Sequence, residues 1–121
     1  MTSSHDRMPL FLTAVTEDRG TLLSIDLATC PFAVRRVFTI SAPDTPVQRG
    51  GHAADCMEYI LLVRGTCAVH LGKHAPASYH LNEPGDGCLV EAGTYVRYEL
   101  ETPDATLLVL ADKPYIEEPR G

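Results

Sequence analysis

The sequence has no apolar run long enough to cross a bilayer. The early candidate, 9–15, is broken by Thr13 and falls well short of the ~20 residues that a spanning helix needs. No convincing cleavage site follows it, so it is not read as a signal peptide, and the cytoplasm is the expected compartment. Basic side chains are in the minority. Lys and Arg total 10 against 16 Asp and Glu, for a formal charge of −6 and a pI near 5.2. That balance argues against a nucleic-acid partner or an anionic-membrane surface, yet a few arginines suffice for a local phosphate pocket. The four cysteines, Cys30, Cys56, Cys67 and Cys88, include no C-x-x-C pair, which sets aside a zinc knuckle and a thioredoxin-like motif. Three of them lie in or beside apolar runs and are expected as buried free thiols. Helical periodicity nowhere persists beyond about two turns. Internal repeats, low-complexity tracts and dividing linkers are also missing. With 121 residues, 45% hydrophobic and 21% charged, the chain suits a single soluble domain over 10–121, preceded by a flexible tail over 1–9 that carries His5.

What the chain does have is short segments rich in Val, Ile, Leu, Thr and Tyr. They predict strands over 10–15, 21–27, 33–40, 57–63, 67–71, 78–81, 88–90, 94–101 and 106–111, separated by Gly, Pro, Asp and Asn. Many short strands at this spacing imply an all-β antiparallel sandwich or barrel. In 95–101, Arg97, Glu99 and Glu101 alternate with Val96, Tyr98 and Leu100, so the first set is expected to be wet and the second to face the interior. The run Tyr59-Ile60-Leu61-Leu62-Val63 does not alternate. Both of its faces are expected to be buried, the outer one against a second subunit, hence a homodimer.

One stretch organises the rest: Arg49-Gly50-Gly51-His52-Ala53-Ala54-Asp55-Cys56-Met57-Glu58, closed by the turn Arg64-Gly65. Its pattern, H-x-A-x3-E-x6-G, has the spacing of the first cupin motif, H-x-H-x3-E-x6-G. The second motif, G-x5-P-x-G-x2-H-x3-N, fits at Gly85 and Gly93, with Glu91, Val96 and Leu100 at the Pro, His and Asn positions. A metal cupin holds a divalent ion with three His and a Glu. Here His52 and Glu58 remain, and Ala54 and Val96 replace the other two ligands. Two protein ligands rarely hold a metal tightly, so no metal and no other cofactor is expected at this pair.

At these residues the sequence resembles the dTDP-4-keto-6-deoxyglucose 3,4-ketoisomerases, small metal-free cupins also grouped as WxcM-like. Four segments carry the resemblance in order: Asp18-Arg19-Gly20-Thr21-Leu22; Pro31-Phe32-Ala33-Val34-Arg35-Arg36-Val37-Phe38; Arg49-Gly50-Gly51-His52-Ala53; and Leu108-Val109-Leu110-Ala111-Asp112 with Tyr115. The resemblance implies a jelly-roll homodimer that binds a thymidine-diphosphate sugar at the barrel mouth. It also implies movement of a ketone from C4 to C3 through an enediol, which needs a base of near-neutral pKa and donors aimed at the enolate oxygen. The chain departs from the family pattern where proton-handling groups sit: Ala54 replaces the second His of H-A-H, Val96 stands at the second-motif His, and Phe38 stands where a Tyr is frequent.

The candidate catalytic residues are therefore His52 as base, with Glu58 and Tyr98 assisting. Arg19, Arg36 and Arg49 are candidates for the diphosphate, since guanidinium grips phosphate with paired donors, and Phe38 is a candidate substrate contact. Each has a structural alternative: a core-edge histidine, a rim carboxylate, a core tyrosine or surface ion pairs. His70, His74 and His80 show no defensible ligand spacing and are expected at the surface. Two other readings stay open beside the ketoisomerase. One is a repurposed cupin isomerising or cyclising another small metabolite by holding a conformer. The other is a non-catalytic binding cupin.

Overall fold

The computed structural model describes residues 9–114, so all of the tail expected over 1–9 except Pro9, with His5 in it, and Tyr115 lie outside the described residues. Within them the chain is all-β apart from a 3-10 turn at Leu27–Thr29, capped by Asp26, whose carboxylate accepts from the Ala28 N–H at 3.1 Å. The strands in chain order are β1 (Leu12–Glu17), β2 (Gly20–Ile25), β3 (Arg36–Ile40), β4 (Val47–Ala53), β5 (Glu58–Arg64), β6 (Cys67–Leu71), β7 (Ala77–Leu81), β8 (Gly87–Val90), β9 (Tyr95–Leu100) and β10 (Thr106–Ala111). Two four-stranded antiparallel sheets, in orders β3-β10-β5-β8 and β4-β9-β6-β7, make the jelly-roll sandwich, and β1 and β2 form a separate hairpin. No helix of the described residues is long and apolar enough to cross a membrane. All four cysteines are free thiols, with Cys56, Cys67 and Cys88 buried and Cys30 half-buried.

The alternation read in 95–101 decides the register of β9. Val96, Tyr98 and Leu100 are 0%, 4% and 0% exposed, while Arg97 reaches along the outer face and donates to the Gln48 side-chain oxygen at 3.1 Å. The inward residues of both sheets interdigitate in one core: Ile60 and Leu62 from β5, Val69 from β6, Val96, Tyr98 and Leu100 from β9, Leu107 and Val109 from β10, with Phe38 and Ile40 of β3 packed against it.

Strand β5 is buried on both faces, as its unbroken apolar run implies. The covering element differs from the expectation. Tyr59 and Leu61 pack against Phe11, Leu12 and Leu110, with Leu23, Ile25, Cys30, Phe32 and Val34 around them. The chain's own N-terminal segment closes this face, and no second subunit is needed to bury it. The reason is chain economy: the segment ahead of β3 already carries enough apolar side chains to cover one sheet.

Strand β4 was not among the expected strands. Pro46 closes the stretch 42–46 of turn residues, yet 47–53 after it pairs with β9 on both sides of a bulge. A bulge accommodates the glycines: the register shifts between Gly50 and His52, and Gly50 and Gly51 take φ of +87° and +89°, which only glycine adopts readily.

Candidate functional site

The β4 bulge aims the central residue. Directly opposed residues of an antiparallel pair share a face. Arg49 lies opposite Tyr98, and after the bulge His52 lies opposite Val96. Both partners point into the barrel, so Arg49 and His52 do too, and both remain solvent-exposed, as groups at a mouth would be. Gly50 makes room for this turn of the strand. A Cβ there would lie 3.0 Å from the Val96 carbonyl oxygen and 3.2 Å from the Tyr98 ring.

The facing sheet supplies the other half. Arg36, Ala111, Glu58 and Val90 stand in one lateral row across β3, β10, β5 and β8. Glu58 is 9% exposed. Burial pushes its carboxyl above the ordinary 4.5, Asp55 and Asp112 push the same way, and the Arg36 guanidinium opposes them. The Tyr98 hydroxyl is also pushed up, first by burial and then by Glu58, with Arg49 opposing. Those mutual influences place Glu58, Tyr98, Arg36 and Arg49 in one electrostatic neighbourhood. Arg36 stacks on Phe38, 4.2 Å from the ring centroid, and Arg49 donates to the Ser41 carbonyl oxygen at 2.9 Å. Glu58, Tyr98, Arg36 and Arg49 thus lie near one another, His52 shares the inward face of β4 with Arg49, and Phe38 lies under Arg36. Among the described residues His52 and Glu58 exchange no hydrogen bond or ion pair. Arg19 is separate. It stands at the tip of the β1–β2 hairpin beside Glu17 and Asp18.

The raised Glu58 carboxyl has a signed consequence. A group whose folded pKa exceeds its unfolded one contributes stability below the unfolded value, near 4.5, and loses it as pH rises through the folded value. Glu58→Gln therefore melts at a higher temperature than the parent at pH 7, and the gap narrows toward pH 4. Thermal melts across that range read it directly.

Sequence reasoning missed one polar constellation on the opposite side of the second sheet. His70, expected at the surface, has a side chain only 14% exposed. Its Nε2 lies 2.7 Å from Glu99 Oε1 and its Nδ1 lies 2.8 Å from Ser78 Oγ. The His70 hydrogen bond holds the Glu99 carboxyl below its ordinary range. The three residues sit on β6, β9 and β7, and no sequence spacing signals the cross-strand contact.

Comparison with known proteins agrees with the geometry. The model of the WxcM-like, C-terminal (FdtA) family matches residues 6–119, and the chain belongs to that family. Among solved structures it is similar to a 3,4-ketoisomerase from Helicobacter canadensis, at 31% identity over 89% of this chain and 84% of that one, with a TM-score of 0.68. It is also similar to WlaRB, a TDP-quinovose 3,4-ketoisomerase from Campylobacter jejuni, at 28% identity over 88% and 85% of the two chains and a TM-score of 0.69. A third is the QdtA 3,4-ketoisomerase from Thermoanaerobacterium thermosaccharolyticum, in a doubly substituted form in complex with TDP, at 25% identity over 87% and 78% and a TM-score of 0.73. No curated protein matches the sequence. These relatives support an isomerase on a cupin-like β fold.

Proposed function

We propose that the chain is a sugar-nucleotide 3,4-ketoisomerase that converts a dTDP-4-keto-6-deoxyhexose to its 3-keto isomer. The observation that carries the reading is the placement of His52 by the β4 bulge, facing into the barrel opposite Val96 with Tyr98 on the adjacent row. WlaRB is a TDP-quinovose 3,4-ketoisomerase and QdtA holds TDP, and TDP-linked sugars are the substrate class we assign. His52 takes the proton from C3 while the Tyr98 hydroxyl gives its proton to the C4 oxygen, forming the C3–C4 enediol; the imidazolium then returns its proton to C4, and the C3 hydroxyl gives its proton back to Tyr98 as C3 becomes the carbonyl. Tyr98 is the O–H donor within the barrel for the developing enolate oxygen, and Glu58 assists from the facing sheet. Arg36 and Arg49 grip the diphosphate, and the Phe38 ring packs on the substrate. Ala54 stands where the motif has its second histidine, so one ring performs both removal and return of the proton. Proton NMR of dTDP-4-keto-6-deoxyglucose with the protein in D2O tests this. Appearance of the 3-keto isomer with deuterium at C4 supports it. No conversion, together with no thermal shift at millimolar dTDP, overturns it. A ligand of Kd ~10 µM at ~1 mM should stabilise the fold by about 2.7 kcal/mol.

The hairpin supports the homodimer. A two-stranded sheet alone is marginal in water, yet β1–β2 holds Val15 opposite Leu22 with both exposed, at 42% and 61%. A second copy of the chain covers this pair and brings Arg19 toward the partner's barrel mouth. Sedimentation equilibrium should give a dimer that Leu22→Glu shifts toward monomer, and an unchanged monomeric mass for the parent overturns it. The free thiols suit a reducing cytoplasm.

A further inference from the structure

The proton-handling groups are unevenly divided between the two walls of the barrel. His52 on β4 and Tyr98 on β9 belong to one sheet, and Arg36 and Glu58 belong to the facing one. Directly opposed residues of an antiparallel pair share a face, which turns His52 inward with Val96. The other histidines of the described strands turn outward. His70 lies opposite Arg97 and is bonded on that outer face to Ser78 and Glu99. His80 lies opposite Ala68, which itself lies opposite Glu99, so it shares the outer face. His74 is exposed in the link between β6 and β7. Among the described strands, His52 is therefore the single imidazole aimed into the barrel.

The two positions where the motifs carry further histidines hold hydrocarbon. Ala54 and Val96 are 3% and 0% exposed in the core, and neither a methyl nor an isopropyl group holds a transferable proton. The backbone that carries His52 is anchored on both sides. The bulge paired with β9 precedes it. Beyond it the Ala54 N–H donates to the Thr94 carbonyl oxygen at 2.8 Å, and the Ala54 carbonyl oxygen accepts from the Gly93 N–H at 2.7 Å. A ring hung from so fixed a strand swings between two adjacent carbons of a bound sugar, but it cannot pass around to the sugar's other face. The facing wall offers Arg36, a guanidinium that keeps its proton, and Glu58, which is only 9% exposed.

Resting on the ketoisomerase reading, we propose that the proton moves from C3 to C4 on one face of the sugar, so that the product is the 3-keto-6-deoxygalactose nucleotide, with its C4 hydroxyl axial, and not the gluco epimer. The configuration follows from the substrate. In a 4-keto-6-deoxyglucose ring the C3 hydrogen lies on the face opposite the C5 methyl. His52 takes it from that face while Tyr98 protonates the C4 oxygen. The same imidazolium delivers it to C4 from that face while the C3 hydroxyl gives its proton back to Tyr98. The C4 hydroxyl is left on the side of the C5 methyl, which is the galacto arrangement. Delivery by an acid on the facing wall gives gluco instead. The hydrocarbon at 54 and 96 is what leaves the return step to His52.

The test runs the full chain with dTDP-4-keto-6-deoxyglucose in ordinary water and reads the product by proton NMR early in the time course, before C4 epimerises in solution. A small H4–H5 coupling is expected, because H4 of the galacto product is equatorial; the gluco product has trans-diaxial H4 and H5 and a large coupling. Borohydride trapping of the same samples checks the assignment. The galacto ketone yields 6-deoxygalactose and 6-deoxygulose, and the gluco ketone yields 6-deoxyglucose and 6-deoxyallose. Glu58→Gln gives the same configuration at a lower rate. A gluco or mixed product from the parent, or a changed configuration in Glu58→Gln, overturns one-face transfer and leaves the ketoisomerase reading standing. No conversion by the parent overturns both.

Discussion

His52→Asn lowers turnover of the 4-keto sugar nucleotide by ~10²–10⁴-fold, the contribution of a positioned general base, and leaves the melting temperature near that of the parent. Both halves follow from where the side chain sits. The imidazole is exposed at the mouth and, among the described residues, makes no hydrogen bond, so its loss breaks no packing and orphans no buried group. Asn keeps a polar amide on the same face but has no titratable nitrogen to carry a proton between C3 and C4. Binding should survive, because the diphosphate is assigned to Arg36 and Arg49, so the loss falls on kcat with little change in KM. Solvent deuterium entering C4 should disappear together with turnover. If His52→Asn retains turnover within about tenfold of the parent, the proton is moved by another group, with Glu58 or Tyr98 next in line, and one-base catalysis by His52 fails.

How far the sequence displayed this site can be followed residue by residue. Strand β9 was legible because a half-buried strand writes its two faces as a period of two, and Val96, Tyr98 and Leu100 landed inside as that period requires. The second-motif spacing was legible too: Val96, at its histidine position, is the residue that faces His52 across the β4–β9 pair. Strand β4 was illegible for a specific reason. A glycine pair forms a bulge inside this paired strand, so 47–53 shows neither an apolar run nor a clean period of two. The apolar run of β5 announced that both faces are buried but could not say by what, since a run of Ile and Leu records only the absence of water. The same holds for His70, whose partners lie 8 and 29 residues away in sequence, a relation created by strand order alone. Arg19 shows the converse. Its motif matched the family, yet it stands at the tip of a hairpin that belongs to neither four-stranded sheet.

Phe11→Ala costs ~3–5 kcal/mol, the range for removing a buried aromatic from a packed core, and lowers the melting temperature by roughly 10–20 °C. Phe11 is 4% exposed and meets Tyr59 edge-on, with centroids 5.0 Å apart and planes at 84°, a geometry that adds about 0.5–1.5 kcal/mol beyond area burial. The residue closes the outer face of β5 over Tyr59 and Leu61. Its removal therefore leaves this face to Leu12 and the flanking Leu23, Ile25, Cys30, Phe32 and Val34. Tyr59 reports on that cover independently of the melt. Burial, with smaller contributions from Cys88 and Asp86, pushes its phenol from 10.0 up to about 12. Because the folded value is the higher one, the protonated phenol favours the fold, and that stability is lost as pH rises from about 10 through 12. In Phe11→Ala the phenol titrates closer to 10.0, which an ultraviolet titration at alkaline pH resolves, and alkaline unfolding takes on less of this dependence. A cost below about 1 kcal/mol with an unchanged Tyr59 titration would mean that a second copy, not the N-terminal segment, seals this face. The parent's melting temperature would then have to rise with protein concentration. The two measurements together separate an integral N-terminal cover from a subunit interface, which the apolar run of β5 alone leaves equivalent.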